Sequence, residues 1–381
     1  MSIAVQKPVI PDFISLKFRF WSFVSMFLLV FVHGYNLKHN YLQPWTLPEE
    51  PVTFTTFTEY LLANGLFRFR IPLLFLISGF LYAFNDYRPY KQRTIKRLRT
   101  LLLPYLIWSA TGIIFTWLLE LNSVGQQVVA QSHLVQIDET RTLLHNYKWY
   151  ELLFRWIFLP VPYQLWFIRV LLIYNLAYPW IKAAISHKVA RYFFWSVAVM
   201  LWLTTSGFVF FEGEGLLFFS LGIWMQKSSF NLSGAPLQLH PLTWVAVFLI
   251  TSVIKTLIAF NPHFLPQAAI FPVLSLLHKV LIVSGLVAVW YATDSLVSWC
   301  MNQRFFRWIS SFSFIIYAFH APLIAYAMAW ILPIAVDFPL YRLITFITLP
   351  LLIISMAVAL GASLRRFTPS FYSLLTGGRG F

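Results

Sequence analysis

Two histidines lie deep in apolar sequence. His33 falls within the segment Phe20–Leu37, and His320 within the run SFSFIIYAFHAPLI. A charge at the centre of a spanning helix costs roughly 2.5–3.5 kcal/mol, so ionisable residues there face a protein interior or a wet cavity. An imidazole with an ordinary pKa near ~6.5 takes a proton at neutral pH. As a general base it activates a hydroxyl, typically by about 10²–10⁴-fold. Arg19 lies at the inner mouth of the His33 segment, and Arg68, Arg70 and Arg169 lie in or at the ends of other apolar segments. Their charge is permanent and suits anionic groups such as phosphate. Together these residues predict a polar cavity in which a base and fixed cations bring a hydroxyl to an anionic donor. There is no H-E-x-x-H spacing, Walker A loop, G-x-S-x-G elbow or dinucleotide fingerprint. One cysteine, Cys300, makes neither an internal disulfide nor a cysteine metal site. No metal is expected.

The elements that must position these residues read as an all-α polytopic membrane bundle. Apolar stretches of about 20 residues mark spanning helices. Ten are expected, at 19–38, 68–86, 101–121, 163–184, 191–209, 211–226, 241–260, 269–293, 306–333 and 339–364. At a rise of ~1.5 Å per residue, His33 stands about 20 Å above Arg19 and on nearly the same helix face. His320 reaches a similar depth beyond Arg307. The second and fourth spans run inward and place Arg68, Arg70 and Arg169 in the outer half. Trp166 and Arg169 share a face at i, i+3. Lys255 and the pair His278–Lys279 fall at comparable depth. Each has a structural alternative. Arg68, Arg70 and Lys255 would snorkel to the interface. His320 would bond a carbonyl freed by Pro322, and His33 would bridge two helices. Pro72, Pro104, Pro179 and Pro322 predict kinks. The longest connection, 122–162, reads as an extramembrane loop with an interfacial helix around Leu152–Pro160.

Composition agrees. The 381 residues are 59% hydrophobic, 19% aromatic and 11% charged, with a mean hydropathy of +0.70. Soluble domains carry about 25% charged residues. The net charge of +15 is not a nucleic-acid signal, because Lys and Arg sit in short stretches between apolar runs. It reads as topology and contact with anionic lipid. Arg88, Lys91, Arg93, Lys96, Arg97 and Arg99 follow the second span, Lys182, Lys188 and Arg191 the fourth, Lys227 the sixth, Arg304 and Arg307 the eighth, and Arg365 and Arg366 the tenth. The intervening loops carry most of the acids. By the positive-inside rule both termini are cytoplasmic. The basic run 88–99 has a bland reading as a purely topogenic segment. Residues 1–18 are expected as a cytoplasmic N-terminal segment and 367–381 as a cytoplasmic tail. No cleavage pattern follows the first segment, so the first helix is expected to serve as a retained signal anchor.

The order of motifs resembles the acyltransferase 3 family of polytopic membrane acyltransferases, over about residues 14–365. LLVFVHG carries His33. RFRIPLLFLISGFLY carries Arg68, Pro72, Ser78 and Phe80. LRTLLLPYLIWS carries Pro104, Tyr105 and Trp108. YQLWFIRVLLIY carries Trp166 and Arg169, EGLLFFSLGIWM carries Gly222, and SSFSFIIYAFHAPLI carries Tyr317, His320 and Pro322. Two positions depart from the pattern. Ser22 stands where the family has an arginine about eleven residues before its histidine, leaving Arg19 as the nearest cation. Val170 stands where an aspartate commonly follows the fourth motif's arginine.

The resemblance implies transfer of an acyl group, commonly acetyl, from a cytoplasmic acyl-CoA to a hydroxyl of an extracytoplasmic cell-envelope carbohydrate. Residues 19–366 would form the transmembrane acyltransferase domain, in a bacterial inner membrane. His33, Arg68 and Arg169 would be catalytic. Arg19, Ser78, Tyr105, Trp166, Tyr317 and His320 would line the substrate route. Arg88, Arg93 and Arg97 would attract the phosphates of acetyl-CoA or another acyl-CoA. The partners expected are acyl-CoA, the carbohydrate and membrane lipids, with no nucleic acid. The rival reading is a transporter or flippase for an anionic or lipid-linked sugar, because buried cations and kinked helices also suit transport. Transport coupling favours intramembrane acids, and these are nearly absent from the sequence.

Overall fold

A computed structural model describes residues 9–38, 42–234 and 240–380. The first eight residues of the expected N-terminal segment, and Phe381 of the expected tail, lie outside the described residues. In chain order the helices are α1 (Asp12–His33), α2 (Phe54–Tyr60), α3 (Arg70–Phe84), α4 (Tyr90–Arg97), α5 (Leu103–Leu119), α6 (Ser123–Ser132), α7 (Trp149–Ile157), α8 (Trp166–Leu176) and α9 (Tyr178–Ser186). They continue as α10 (Ala190–Leu203), α11 (Gly213–Lys227), α12 (Pro241–Phe260), α13 (Gln267–Tyr291), α14 (Asp294–Asn302), α15 (Arg304–Ser310), α16 (Ser313–Ala335), α17 (Tyr341–Phe367) and α18 (Pro369–Thr376). A small hairpin, β1 (Gly207–Phe208) with β2 (Phe211–Glu212), joins α10 to α11.

Among the described residues, seven helical stretches are long and apolar enough to cross a membrane, and α8 with α9 makes an eighth if that bent pair is one span. The pair turns by 60°, where Pro179 enters the first turn of α9. The other two expected spans, α10 and α11, have 14 and 15 residues. At ~1.5 Å per residue each is shorter than the ~30 Å hydrocarbon core. Boundaries moved for identifiable reasons. The basic run was expected as a connection but forms α4, which continues through a π-type turn, Leu98–Leu102, into α5. Pro104 sits in the first turn of α5, where its missing N–H leaves the carbonyl four residues back without its helical donor. That carbonyl, of Thr100, accepts from the Arg379 guanidinium at 3.0 Å.

The chain divides into two compact units. Unit 1 comprises residues 1–25, 65–99 and 170–310, and unit 2 comprises 26–64, 100–169 and 311–381. In unit 1, α11 packs along α3, α12 along α13, and α10 against α9 and α11. The α3–α11 crossing needs small residues. A Cβ on Gly79 would strike the Phe219 carbonyl, and one on Gly222 the Leu76 carbonyl. Three expected inner stretches meet at Asp86, which accepts at 2.6 Å from Lys182, at 2.6 Å from Lys227 and at 2.8 Å from Arg93. Burial pulls the Asp86 carboxyl upward, but the bonds and charges of Lys182 and Lys227 outweigh it and hold it at about 2. Helix α1 starts at Asp12, before the expected span, and Lys17 is buried with its ammonium 2.6 Å from Asp294.

In unit 2, α16 packs on α17 and α6, and α5 on α7. The expected tail is largely the helix α18, held against α5 and α17. Tyr372 is fully buried there, and the Trp108 indole donates to Leu375 at 3.1 Å. The 122–162 connection is a folded cap. Val128, Val129, Val135, Leu144 and Tyr147 form its core. Buried Glu120 accepts from the Leu144 and His145 amides and from the His145 ring. Helix α7 has no buried residue and exposes Trp149, Tyr150, Leu153 and Phe154, as an interfacial helix would.

Candidate functional site

The two histidines of the sequence meet in unit 2. His33 ends α1 and is half-buried, whereas His320 is fully buried in α16. Their ring nitrogens, His33 Nδ1 and His320 Nε2, are 2.9 Å apart. His320 Nδ1 lies 3.0 Å from the Ile316 carbonyl. A carbonyl only accepts, so His320 Nδ1 carries the proton. In a neutral pair His320 Nε2 therefore accepts from His33 Nδ1–H, and the lone pair of His33 is on Nε2. This is the tautomer a general base needs. It is fixed by an acceptor behind the ring, in the same logic by which a carboxylate orients the histidine of a Ser-His-Asp triad.

What holds His320 in place is a broken helix. Ala321 leaves helical geometry (φ −116°, ψ 142°), as a residue before proline is driven to do. Pro322 lacks the N–H that would reach the Ala318 carbonyl. The Gln164 side chain supplies the missing donor: its Nε2 lies 3.0 Å from Ala318 O, 3.2 Å from Ala321 O and 3.3 Å from Tyr317 O. The Tyr317 hydroxyl returns a bond of 2.6 Å to the Gln164 carbonyl. The freed carbonyl thus goes to Gln164, not to His320, which bonds one turn earlier and to His33. Gln164 and its neighbour Tyr163 were not among the expected site residues. The Tyr163 ring packs on His33 with centroids 4.7 Å apart. A glutamine abutting the Trp166–Leu176 run was the available signal, but its partners exist only after α16 breaks.

Arg169, Trp166 and Tyr105 also belong to unit 2. Tyr163, Trp166 and Arg169 recur every third residue and are the half-exposed positions of their stretch. The Arg169 guanidinium donates to the Phe158 carbonyl and lies beside the Tyr105 hydroxyl. Tyr105 itself donates to Ile157 at 2.8 Å.

Arg19, Arg68, Ser78, Arg88, Arg93 and Arg97 belong to unit 1. Arg19 is not aimed along α1 toward His33. It binds the end of α15, through Ser310 Oγ at 3.2 Å and the Arg307 carbonyl at 2.5 Å. Ser78 and Arg68 are half-buried. Tyr82, Asn85, Arg88, Gln92, Arg93, Lys96 and Arg97 line a cavity of about 110 Å³. Arg93 and Arg97 stack on the Tyr82 ring at 4.9 and 5.3 Å. Because Arg93 is bonded to Asp86, the cavity offers Arg88, Lys96 and Arg97 to an anion. Lys255, expected to snorkel, is instead fully buried.

A helical membrane protein that pairs two imidazoles in one unit, and sets a cationic cavity in the other, has the parts of a group-transfer enzyme. The chain belongs to the acyltransferase 3 family, whose acyltransferase domain matches residues 21–364. It is therefore an integral-membrane acyltransferase, and its substrates include an acyl donor. Over 323 residues it is 26% identical to the succinoglycan biosynthesis protein ExoH of Rhizobium meliloti (strain 1021), covering 84% of this chain and 81% of that one. No solved structure matches it.

Proposed function

We propose that the protein moves an acyl group, commonly acetyl in this family, from a cytoplasmic acyl-CoA to a hydroxyl of an extracytoplasmic cell-envelope carbohydrate, in a bacterial inner membrane. The observation that carries this reading is the His33–His320 pair. The acceptor hydroxyl oxygen attacks the thioester carbonyl while its proton passes to His33 Nε2. The C–S bond then breaks, and coenzyme A leaves as the thiol by taking that proton back. His320 stabilises the transient imidazolium through the Nδ1–H bond. Arg169 takes the role of stabilising charge on the carbonyl oxygen. The Arg88, Lys96 and Arg97 cavity suits the donor's phosphates. The relative's printed role in succinoglycan biosynthesis supports a carbohydrate acceptor.

The test is direct. Coenzyme A or acetyl-CoA should raise the melting temperature of detergent-purified protein, because a ligand bound only by the native state stabilises it. Arg97→Ala should weaken that response. An absent shift at saturating coenzyme A would remove the thioester donor and point to another acyl donor.

A further inference from the structure

We propose that Glu59 of α2 and Asn36, in the connection after α1, form a hydroxyl-accepting subsite in unit 2 that holds a sugar ring of the acyl acceptor. The inference rests on the carbohydrate acceptor proposed above and names the residues that grip it. Neither residue takes part in the proton transfer or in the cationic cavity at α4.

Glu59 is an acid in an apolar setting. The helical stretch Phe54–Phe84 is long and apolar enough to cross a membrane, and Glu59 is fully buried in it. Its place is fixed locally. Thr53 and Thr56 close a capping box at the start of α2. The neighbouring Tyr60 hydroxyl donates to the Thr46 carbonyl at 2.7 Å, which ties α2 to the chain before it. Asn36 is 7% exposed, and its backbone N–H points to Glu59 Oε2 at 3.5 Å. Asn36 Nδ2 donates at 2.9 Å to the carbonyl of Arg342 in α17, the helix on which α2 packs. A carbonyl only accepts, so this bond fixes which end of the amide faces Arg342 and leaves Oδ1 as the other end. The Arg342 guanidinium donates elsewhere, to Glu50 Oε1 at 3.1 Å and to the Tyr341 hydroxyl at 3.2 Å.

Two oxygens are left over. Glu59 Oε1 and Asn36 Oδ1 have no hydrogen-bond partner among the described residues. A buried oxygen that accepts nothing costs stability, so each calls for a donor. Both atoms are acceptors, and the residues that carry them are in contact. Their complement is therefore a pair of adjacent donors without negative charge. Hydroxyls on neighbouring carbons of a sugar ring have that form, whereas the phosphates of a thioester donor do not. The location agrees. Asn36 follows His33 by three residues, so their Cα atoms are at most about 11 Å apart, a separation that one or two sugar units cover. In the proposed orientation the connection between α1 and α2 lies on the extracytoplasmic side, from which the carbohydrate arrives.

The experiment uses the full chain in neutral detergent, with thermal unfolding as the readout. One probe is coenzyme A. The other is the oligosaccharides released by mild acid from envelope glycans of cells that lack the protein, which carry no acyl group from it. These oligosaccharides should raise the melting temperature saturably. In Glu59→Gln and in Asn36→Ala their apparent affinity should fall by about tenfold or more, the scale of one lost hydrogen bond to a charged group. The response to coenzyme A should stay as in wild type. Glu59→Gln keeps the shape of the side chain, and each variant backs the other where one does not fold. If the two residues serve only to tie α1 to α2 and α17, the oligosaccharide response survives undiminished in both variants, and the subsite is overturned. A wild type that does not answer the oligosaccharides overturns it as well, and a response to coenzyme A in the same samples then leaves acyl transfer standing. A variant-sensitive response to the oligosaccharides with none to coenzyme A keeps the subsite and removes the thioester donor. A shift with sodium chloride but not choline chloride, and none with the oligosaccharides, would mark a cation site and overturn the proposal.

Discussion

His320 does nothing useful for a spanning helix, and its bonds to Ile316 and His33 help to offset the cost of burying it. Its replacement by alanine removes the acceptor that orients His33. Turnover should fall by about 10²-fold or more with little change in donor KM. A rise in KM alone, in steady-state kinetics, would make His320 a binding residue. Gln164→Leu should act differently, because it strands the carbonyl that Pro322 leaves open. The expected loss is about 1–3 kcal/mol of stability in detergent unfolding; an unchanged midpoint would mean that water replaces the amide. Asp86 gives a pH signature. Its carboxyl is held at about 2 in the folded protein, against ~3.9 in an unfolded chain. A lowered folded pKa contributes stability that is complete above the unfolded value and fades as pH falls through the folded one. Wild type should therefore outlast Asp86→Asn at pH 7, and the gap should close between about pH 4 and 2. A gap independent of pH would deny the carboxylate that role. At this scale the sequence exposes His33 and His320 individually, because ionisable residues in apolar runs stand out. Their contact, 287 positions apart, and the clasp by Gln164 depend on tertiary folding and have no local signature.

Helices are legible wherever the apolar run is long. Each of the ten expected stretches overlaps a helix, although α10 and α11 are too short to count as spans. Breaks are less legible. Prolines announce that a helix is disturbed, but whether it kinks, as α16 does, or bends between two helices, as α8 and α9 do, depends on which neighbours satisfy the freed carbonyls. Helix α4 was hidden for another reason: a run of Lys and Arg has no apolar periodicity, yet it folds because it continues into α5. Close packing is hidden too, since Gly79 and Gly222 read as ordinary glycines until α3 and α11 are brought together. Gly222→Leu should force these helices apart and cost about 1–3 kcal/mol or more. Size-exclusion profiles and melting temperature check this; wild-type behaviour would show that the crossing is looser than the backbone positions indicate.

Across the whole molecule, charge is the legible signal. Asp86, Arg93, Lys182 and Lys227 converge in unit 1, and the side of the membrane that their charge assigns them is still a proposal. The chain's single cysteine makes orientation measurable. In a Cys300→Ala background, a cysteine at Glu139 should react with an impermeant maleimide on intact spheroplasts, and one at Lys188 only after permeabilisation. The reverse pattern would place the basic cavity on the outside and deny it a cytoplasmic donor.

The central claim is that His33 accepts the proton of the hydroxyl that becomes acylated. Cells whose only copy carries His33→Ala test it, with mass spectrometry of their envelope glycans and an immunoblot for membrane-inserted protein. The account predicts normal insertion with the acyl groups gone. Glycans acylated at near wild-type levels by that variant would contradict it.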